Sequence, residues 1–315
     1  PIRASDPTNP ILGEIWYNTT SNTLKGEGYG TASWATAPVM NESRAATASF
    51  GTQTSGVAAT GLAIPNTGAQ RSTTEKYNGT SWTNSTTIPT TRAYVNGGGT
   101  ETAGIVYGGG LVGGAGTNST EEYSGTAYTA GGVLPNIYYN AVGTGPASAT
   151  ITIGGQAPGP QRTVSTYDGT SWAASPATYP AVLSRGRAVG DSSSAFVFGG
   201  DADLTTSNTW DGSSFAGGPT MNVGRQDMVG FGTVTNAVVA GGQLSPSGGR
   251  TTSETYDGTA WVTGVAMPVG KNVSGTGGGA GTASAGLAFS GYYIAPAITL
   301  EYTGAGPVTK TISSS

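Results

Sequence analysis

Three Asp-Gly steps, Asp168-Gly169, Asp211-Gly212 and Asp257-Gly258, are the most regular placement of an ionisable side chain in this sequence. Carboxylates carry most of the available chemistry, because the 315 residues include neither His nor Cys. Without Cys there is no disulfide framework, thiolate nucleophile or cysteine zinc site. Without His there is no Ser-His-Asp triad, imidazole base or His-ligated transition metal. What remains is the two-carboxylate chemistry of glycoside hydrolysis, which needs two acids converging at a controlled separation. The remaining loop acids, Glu101, Asp191, Asp201, Asp203 and Asp227, form no evident pair. Asp201-Ala-Asp203 could hold calcium, but two carboxylates read more simply as loop charge. Gly277–Gly281 is not a phosphate loop, since neither Lys-Ser/Thr nor a helix follows it.

The charge balance narrows the field further. Thirteen basic and 17 acidic residues give a net charge of −4, with no Lys/Arg cluster of the kind a nucleic-acid binder carries. No apolar run approaches a membrane span, and no basic-then-apolar signal segment opens the chain. A start at Pro1 is what loss of an initiator Met alone would leave. No cofactor is expected.

The elements that must position any site come from a repeat. The string Tyr-x-Gly-Thr-x-Trp appears as Tyr77 to Trp82, Tyr167 to Trp172 and Tyr256 to Trp261. Relatives are Tyr29 to Trp34, Tyr123 to Tyr128, Trp210 to Phe215 and a degenerate Tyr302-Thr-Gly. Successive anchors lie 48, 46, 44, 43, 46 and 46 residues apart. A period of about 45 along the whole chain signals a solenoid, propeller or array, and makes residues 1–315 one domain. Each unit opens with Pro and then a basic residue (Arg44, Arg92, Arg185 with Arg187, Arg225, Lys271), except the third, where Pro135 leads to Asn140. A small-residue strand follows, then an apolar strand closed by glycines, as in Ile105-Val-Tyr-Gly-Gly109. A Thr/Ser/Glu strand ends in the anchor, Asn-Gly or Asp-Gly supplies type I′ turn chemistry, and a last strand carries the Trp. Four short strands per unit and no helical stripe predict an all-β propeller. The 54 Gly and the 10% charged content suit inner strands converging on an axis.

Seven anchors predict seven four-stranded blades. In that arrangement Ile2–Ser5, Glu14–Tyr17, Thr23 onward and the Trp34 strand form one blade, and Val308–Ile312 completes the blade of Tyr302. The alternative is six blades, with residues 1–28 an external arm and Trp34 closing the last blade. The repeated Arg/Lys residues and Glu75, Glu122, Glu254 and Glu301 read as structural, forming inter-blade ion pairs or bonds to buried carbonyls. Asp in the Asp-Gly turns, replaced elsewhere by Asn78, Ser124 or Thr303, most simply braces its own turn.

Unrepeated residues are better candidates for function. In a four-stranded meander the inter-blade loops and the second-to-third-strand loops emerge on one face. There the sequence places Tyr138-Tyr139 and Tyr292-Tyr293, with long loops at 109–119, 200–206 and 243–250. Tyrosine pairs on an uncharged Ser/Thr/Asn/Gly surface suit sugar stacking or a protein contact, beside the simpler reading that they pad their own loops. These four are the candidate ligand-binding residues.

The Arg-then-small strand, the glycine pair and the Glu-x-Tyr-Asp-Gly-Thr-x-Trp string resemble kelch-type propeller repeats over nearly the whole chain. Gly13–Lys25 resembles the opening of structural and tail-fibre-like proteins of tailed bacteriophages, and Glu301–Ile312 the ends of kelch-like virion proteins of marine phages. The resemblance implies a non-enzymatic virion protein, displayed as fibre, decoration or adhesion module. Its partners would be other virion proteins, a host-surface glycan or receptor, and further copies of itself. Residues 1–28 would be a docking arm or a partial closing blade. The Asp-Gly turns also resemble the Asp box of sialidase propellers, one residue shorter, which keeps a glycan-active enzyme or a free lectin as alternatives. Galactose oxidase, another kelch propeller, needs His and a Cys-linked Tyr at copper, so its activity does not carry over.

Overall fold

The computed structural model describes residues 1–8, 10–65, 69–111, 114–156, 159, 161–243, 248–273, 277–292 and 297–312. It is all-β, with no helix among the described residues, and its architecture is propeller-like. Five sheets are four-stranded antiparallel meanders from consecutive sequence. Sheet I comprises Ala48–Thr52, Ser55–Ala59, Thr73–Tyr77 and Trp82–Thr87. Sheet II comprises Asn96–Thr100, Ala103–Tyr107, Thr120–Tyr123 and Tyr128–Ala130. Sheet III comprises Val142–Thr144, Thr150–Ile153, Val164–Tyr167 and Trp172–Ala174. Sheet IV comprises Arg187–Gly190, Ala195–Phe198, Ser207–Trp210 and Phe215–Gly217. Sheet V comprises Met228–Thr233, Asn236–Gly241, Ser253–Tyr256 and Trp261–Thr263.

The ends of the chain pair differently from the seven-blade expectation, and Trp34 joins the last sheet as the alternative had it. Sheet VI takes Gly279–Gly281, Ala285–Ala288 and Thr299–Thr303, but its fourth strand is Ser33–Ala37 from the N-terminal region. Gly306–Thr311 instead pairs with Thr23–Gly30, in a terminal sheet completed by Ile15–Asn18 and a parallel strand Ile2–Arg3. The two expected partners are thus exchanged. The reason lies in the aromatic pair that closes each repeat. Tyr77 faces Trp82, Tyr123 faces Tyr128, Tyr167 faces Trp172, Trp210 faces Phe215 and Tyr256 faces Trp261 across neighbouring strands. Tyr302 has no aromatic five residues on, and Trp34 takes that place.

Two hydrogen-bond circuits explain the glycine pairs. The amide of Tyr94 donates to Ala46 O, Asn140 to Tyr94, Arg185 to Asn140, Asp227 to Arg185, Val273 to Asp227, and Ala46 back to Val273, at 2.9–3.1 Å. One residue comes from the start of each of sheets I–VI. Five of these residues, none of them Gly, hold φ between 53° and 59°, a left-handed conformation that persists only where surrounding bonds impose it. In the second circuit Gly61, Gly109, Gly155, Gly200, Gly242 and Gly291 donate to the carbonyls of Arg92, Tyr138, Leu183, Arg225, Lys271 and Arg44 of the next repeat. Gly109 shows why this position excludes a side chain: its φ is +101°, and a Cβ would lie 2.8 Å from Ala93 O.

The hairpin turns also depart from expectation. Only the glycine of each Asn-Gly or Asp-Gly step has positive φ, so these are four-residue loops and not type I′ turns. The side chain closes them. Asp257 Oδ1 accepts from the amides of Thr259 and Ala260 at 2.8 and 2.9 Å, and Asn78, Asp168 and Asp211 do the same in their own turns.

Candidate functional site

Each repeat fixes the backbone at the circuit residue and at the residue after the second glycine, while the side chains there vary freely. The circuit carries Ala46, Tyr94, Asn140, Arg185, Asp227 and Val273. The post-glycine position carries Leu62, Gly110, Gln156, Asp201, Gln243 and Tyr292. A constant backbone role with unlike side chains is the arrangement expected of a recognition surface on a rigid scaffold. These residues converge. Tyr94, Asn140, Arg185, Asp227, Gln156, Gln243 and Tyr292, with Tyr139 and Asn272, line a cleft of about 410 Å³ over the circuit.

The cleft has a charged centre and an aromatic rim. Arg185 Nε donates to Asp227 Oδ1 at 3.0 Å, and its Nη2 reaches Asp227 Oδ2 and Gln243 Oε1. Asp201 lies on the other side, 3.6 Å from Arg185 Nη1. Burial opposes the charge on Arg185, yet the Asp227 bond and both carboxylates push the guanidinium above its ordinary value. Asp227, which the sequence left as an unpaired loop acid, is itself buried. Gln226 Nε2 donates to Gln243 Oε1 at 2.9 Å, and Asn140 Nδ2 reaches Gln156 Oε1 at 3.5 Å. Asn140 is 8% exposed, and its Oδ1 has no hydrogen-bond partner among the described residues. Tyr139 also walls an adjoining hollow of about 750 Å³ lined by Gly116, Asn118, Asn136 and Ile137.

Of the four predicted ligand-binding residues, the structure brings Tyr139 and Tyr292 together in the cleft. Tyr293 lies outside the described residues. Tyr138 departs from the expectation of an exposed ring: it is 2% exposed and packs with Ile105, Tyr107, Leu134, Tyr167 and Trp172, while bordering the adjoining hollow. Its place in the repeat explains this. Two residues before the circuit, Arg44, Arg92, Arg225 and Lys271 point into their own sheets, and Tyr138 and Leu183 occupy that position in the other two repeats. Aligning the third repeat on Asn140 hid it, because Asn140 is the circuit residue. Aligning the fourth repeat on Arg185 hid its cleft position in the same way, while Tyr94 and Asp227 carry no shared residue type that a repeat would show. Their signal is a spacing of two from the buried residue.

Of the repeated basic residues, Arg185 does pair between repeats, with Asp227, and Arg44, Arg92, Arg225 and Lys271 bond buried carbonyls as expected, but the ion pairs of the three buried arginines stay inside their own sheets. Arg44 meets Glu75 at 2.7 Å, Arg92 meets Glu121, and Arg225 meets Glu254 at 3.2 Å, each within one repeat. Glu122 and Glu301 sit one residue nearer the anchor and so face the other side of the strand. They accept from Tyr167 Oη and Tyr77 Oη of the neighbouring sheet, at 2.5 and 2.7 Å. Where Tyr138 and Leu183 replace Arg, the carboxylate position becomes Ser165 and Asn208, so neither half of a buried pair is left alone. Asp203 meets Arg250 at 3.2 Å, and among the described residues no three acidic side chains cluster to hold a metal ion.

No protein-family model matches this chain. No curated protein matches it in sequence either.

Proposed function

We propose that this chain is a displayed binding module of a tailed-phage particle, a six-bladed propeller that holds a host-surface glycan in the Tyr94–Tyr139–Tyr292 cleft without catalysing its breakdown. Residues 1–315 act as one domain. The six-blade count is supported by the two hydrogen-bond circuits, by the first strands of sheets I–VI lying side by side with sheet VI against sheet I, and by six closing aromatic pairs. On this reading residues 1–28 belong to an appendage, and Ser33–Ala37 closes the last blade.

The observation that carries the binding role is the cleft itself. Tyrosine rings offer flat apolar faces to sugar C–H groups at low entropic cost. Carboxamides, Arg185 and Asp227 supply the donors and acceptors that fix hydroxyl orientation. Attachment fits the terminal sheet. Its one face gathers Trp16, Asn18 and Lys25 around Asp6, whose carboxylate Lys25, Asn18 and Trp16 hold down to about 2. Its other face exposes Ile2, Ile15, Leu24 and Ile312, the kind of apolar patch that marks a protein contact. Attachment through one surface and recognition through another suits a many-copy particle component, where weak sites gain from multivalency.

Mass spectrometry and cryo-EM of purified particles test the location. The chain should be present, with the terminal sheet at the particle and the cleft outward. Absence from particles would sink the virion reading. A glycan array with the wild type and a Tyr139→Ala/Tyr292→Ala variant tests the cleft, and equal binding by both would refute it.

A further inference from the structure

We propose that the central cavity on the far side of the circuit from the cleft is a binding site for a small oxygen-bearing anion, held by Arg187. The first strands of all six sheets line this cavity, of about 250 Å³, and Arg187 is the one charged residue among them. Water occupies about 30 Å³ in the liquid, so the space admits a tetrahedral oxyanion or a carboxylate with its hydration.

The molecule supplies its own control. Arg44, Arg92 and Arg225 are buried, and each has a carboxylate partner. Arg187 is 6% exposed, yet no carboxylate lies within ion-pair distance of it among the described residues. Its Nε and Nη2 reach only the carbonyls of Gly230 and Gly279, at 3.3 and 3.4 Å, and Nη1 has no hydrogen-bond partner among the described residues. Gly279 makes room for the guanidinium, since a Cβ there would stand 3.2 Å from Nη2. A buried guanidinium is tolerated where an anion or full hydrogen bonding compensates it, and two long bonds to carbonyls do not. Burial accordingly pushes Arg187 down to about 10, opposed only by the nearby Tyr107. In a protein that pairs its other buried arginines, the missing counter-charge is supplied from solution or by a partner's carboxylate.

Isothermal titration at constant ionic strength tests this with three probes: sodium sulfate, sodium phosphate and sodium acetate. Wild-type protein should bind at least one saturably, and Arg187→Gln should weaken that binding by about tenfold or more, with Arg187→Lys intermediate. Binding of sulfate or phosphate points to a free inorganic ion. Acetate binding alone points to the carboxylate of a partner chain. No saturable binding of any probe, or unchanged binding by folded Arg187→Gln, overturns the proposal. Should Arg187→Gln not fold, selenate soaked into wild-type crystals decides. An anomalous peak within hydrogen-bond reach of Nη1 supports the site, and its absence together with no saturable acetate binding by the wild type overturns it.

Discussion

Trp34 and Tyr302 stand opposite each other on paired antiparallel strands, ring centroids 4.9 Å apart, although they come from opposite ends of the chain. Phe231 of sheet V closes on the same pair at 6.1 Å from Trp34. This contact joins the N-terminal region to the last repeat. Without it, Thr299–Thr303 would present an open sheet edge.

A truncation starting at Thr31 should therefore keep a single cooperative thermal transition. One starting at Val39, which also loses Ser33–Ala37, should lower the midpoint and aggregate on heating. Trp34→Ala should cost roughly 2 kcal/mol, because the ring is half-buried and complete Trp truncations cost about 3–5 kcal/mol. Calorimetry of the three proteins checks the order.

Arg92 and Glu121 form a buried pair, and breaking it from one side strands a charge. Arg92→Met is expected to destabilise by about 3–5 kcal/mol. The double variant Arg92→Tyr/Glu121→Ser copies the solution used at Tyr138 and Ser165, and should recover a large part of that loss. Urea midpoints decide, and a double variant no better than the single would show that the two solutions are not interchangeable.

The turn aspartates predict an acid-side response. Thr259 and the Thr259 and Ala260 amides hold Asp257 down to about 2, and hydrogen bonds from Ser213 and Ser214 depress Asp211 further. The ionised form is the one the fold favours. Its contribution is therefore complete above the unfolded carboxylate value of about 3.9 and fades as pH drops through about 2. Asn78 shows that a neutral side chain can close the same turn. The triple variant Asp168→Asn/Asp211→Asn/Asp257→Asn should stay folded and show a shallower fall of thermal midpoint between pH 5 and pH 2.

Adjacent tyrosines should behave oppositely. Tyr138→Ala removes a core ring and is expected to cost about 3–5 kcal/mol of stability. Tyr139→Ala should change stability by much less and reduce glycan binding. Melting curves read alongside glycan-array signals separate the two. Lost binding with Tyr138 alone would place the ligand elsewhere.

The sequence alone determined what depends on near neighbours in the chain. Strand content, the repeat of about 45 residues, the turn-bracing role of Asp168, Asp211 and Asp257, and the glycine pairs are all local, because hairpin register and backbone sterics act within a few residues. Tertiary structure decided what depends on distant partners. A period counts anchors but does not say which strand completes a sheet, so Trp34 and Gly306–Thr311 read naturally in each other's places. Alternation along one strand does not reveal that Tyr138 fills an arginine's position while Tyr139 faces a cleft. The cleft exists only once five separate repeats bring Tyr94, Asn140, Arg185, Asp227 and Tyr292 together. Burial is a property of the assembled sheets, and no residue carries it alone.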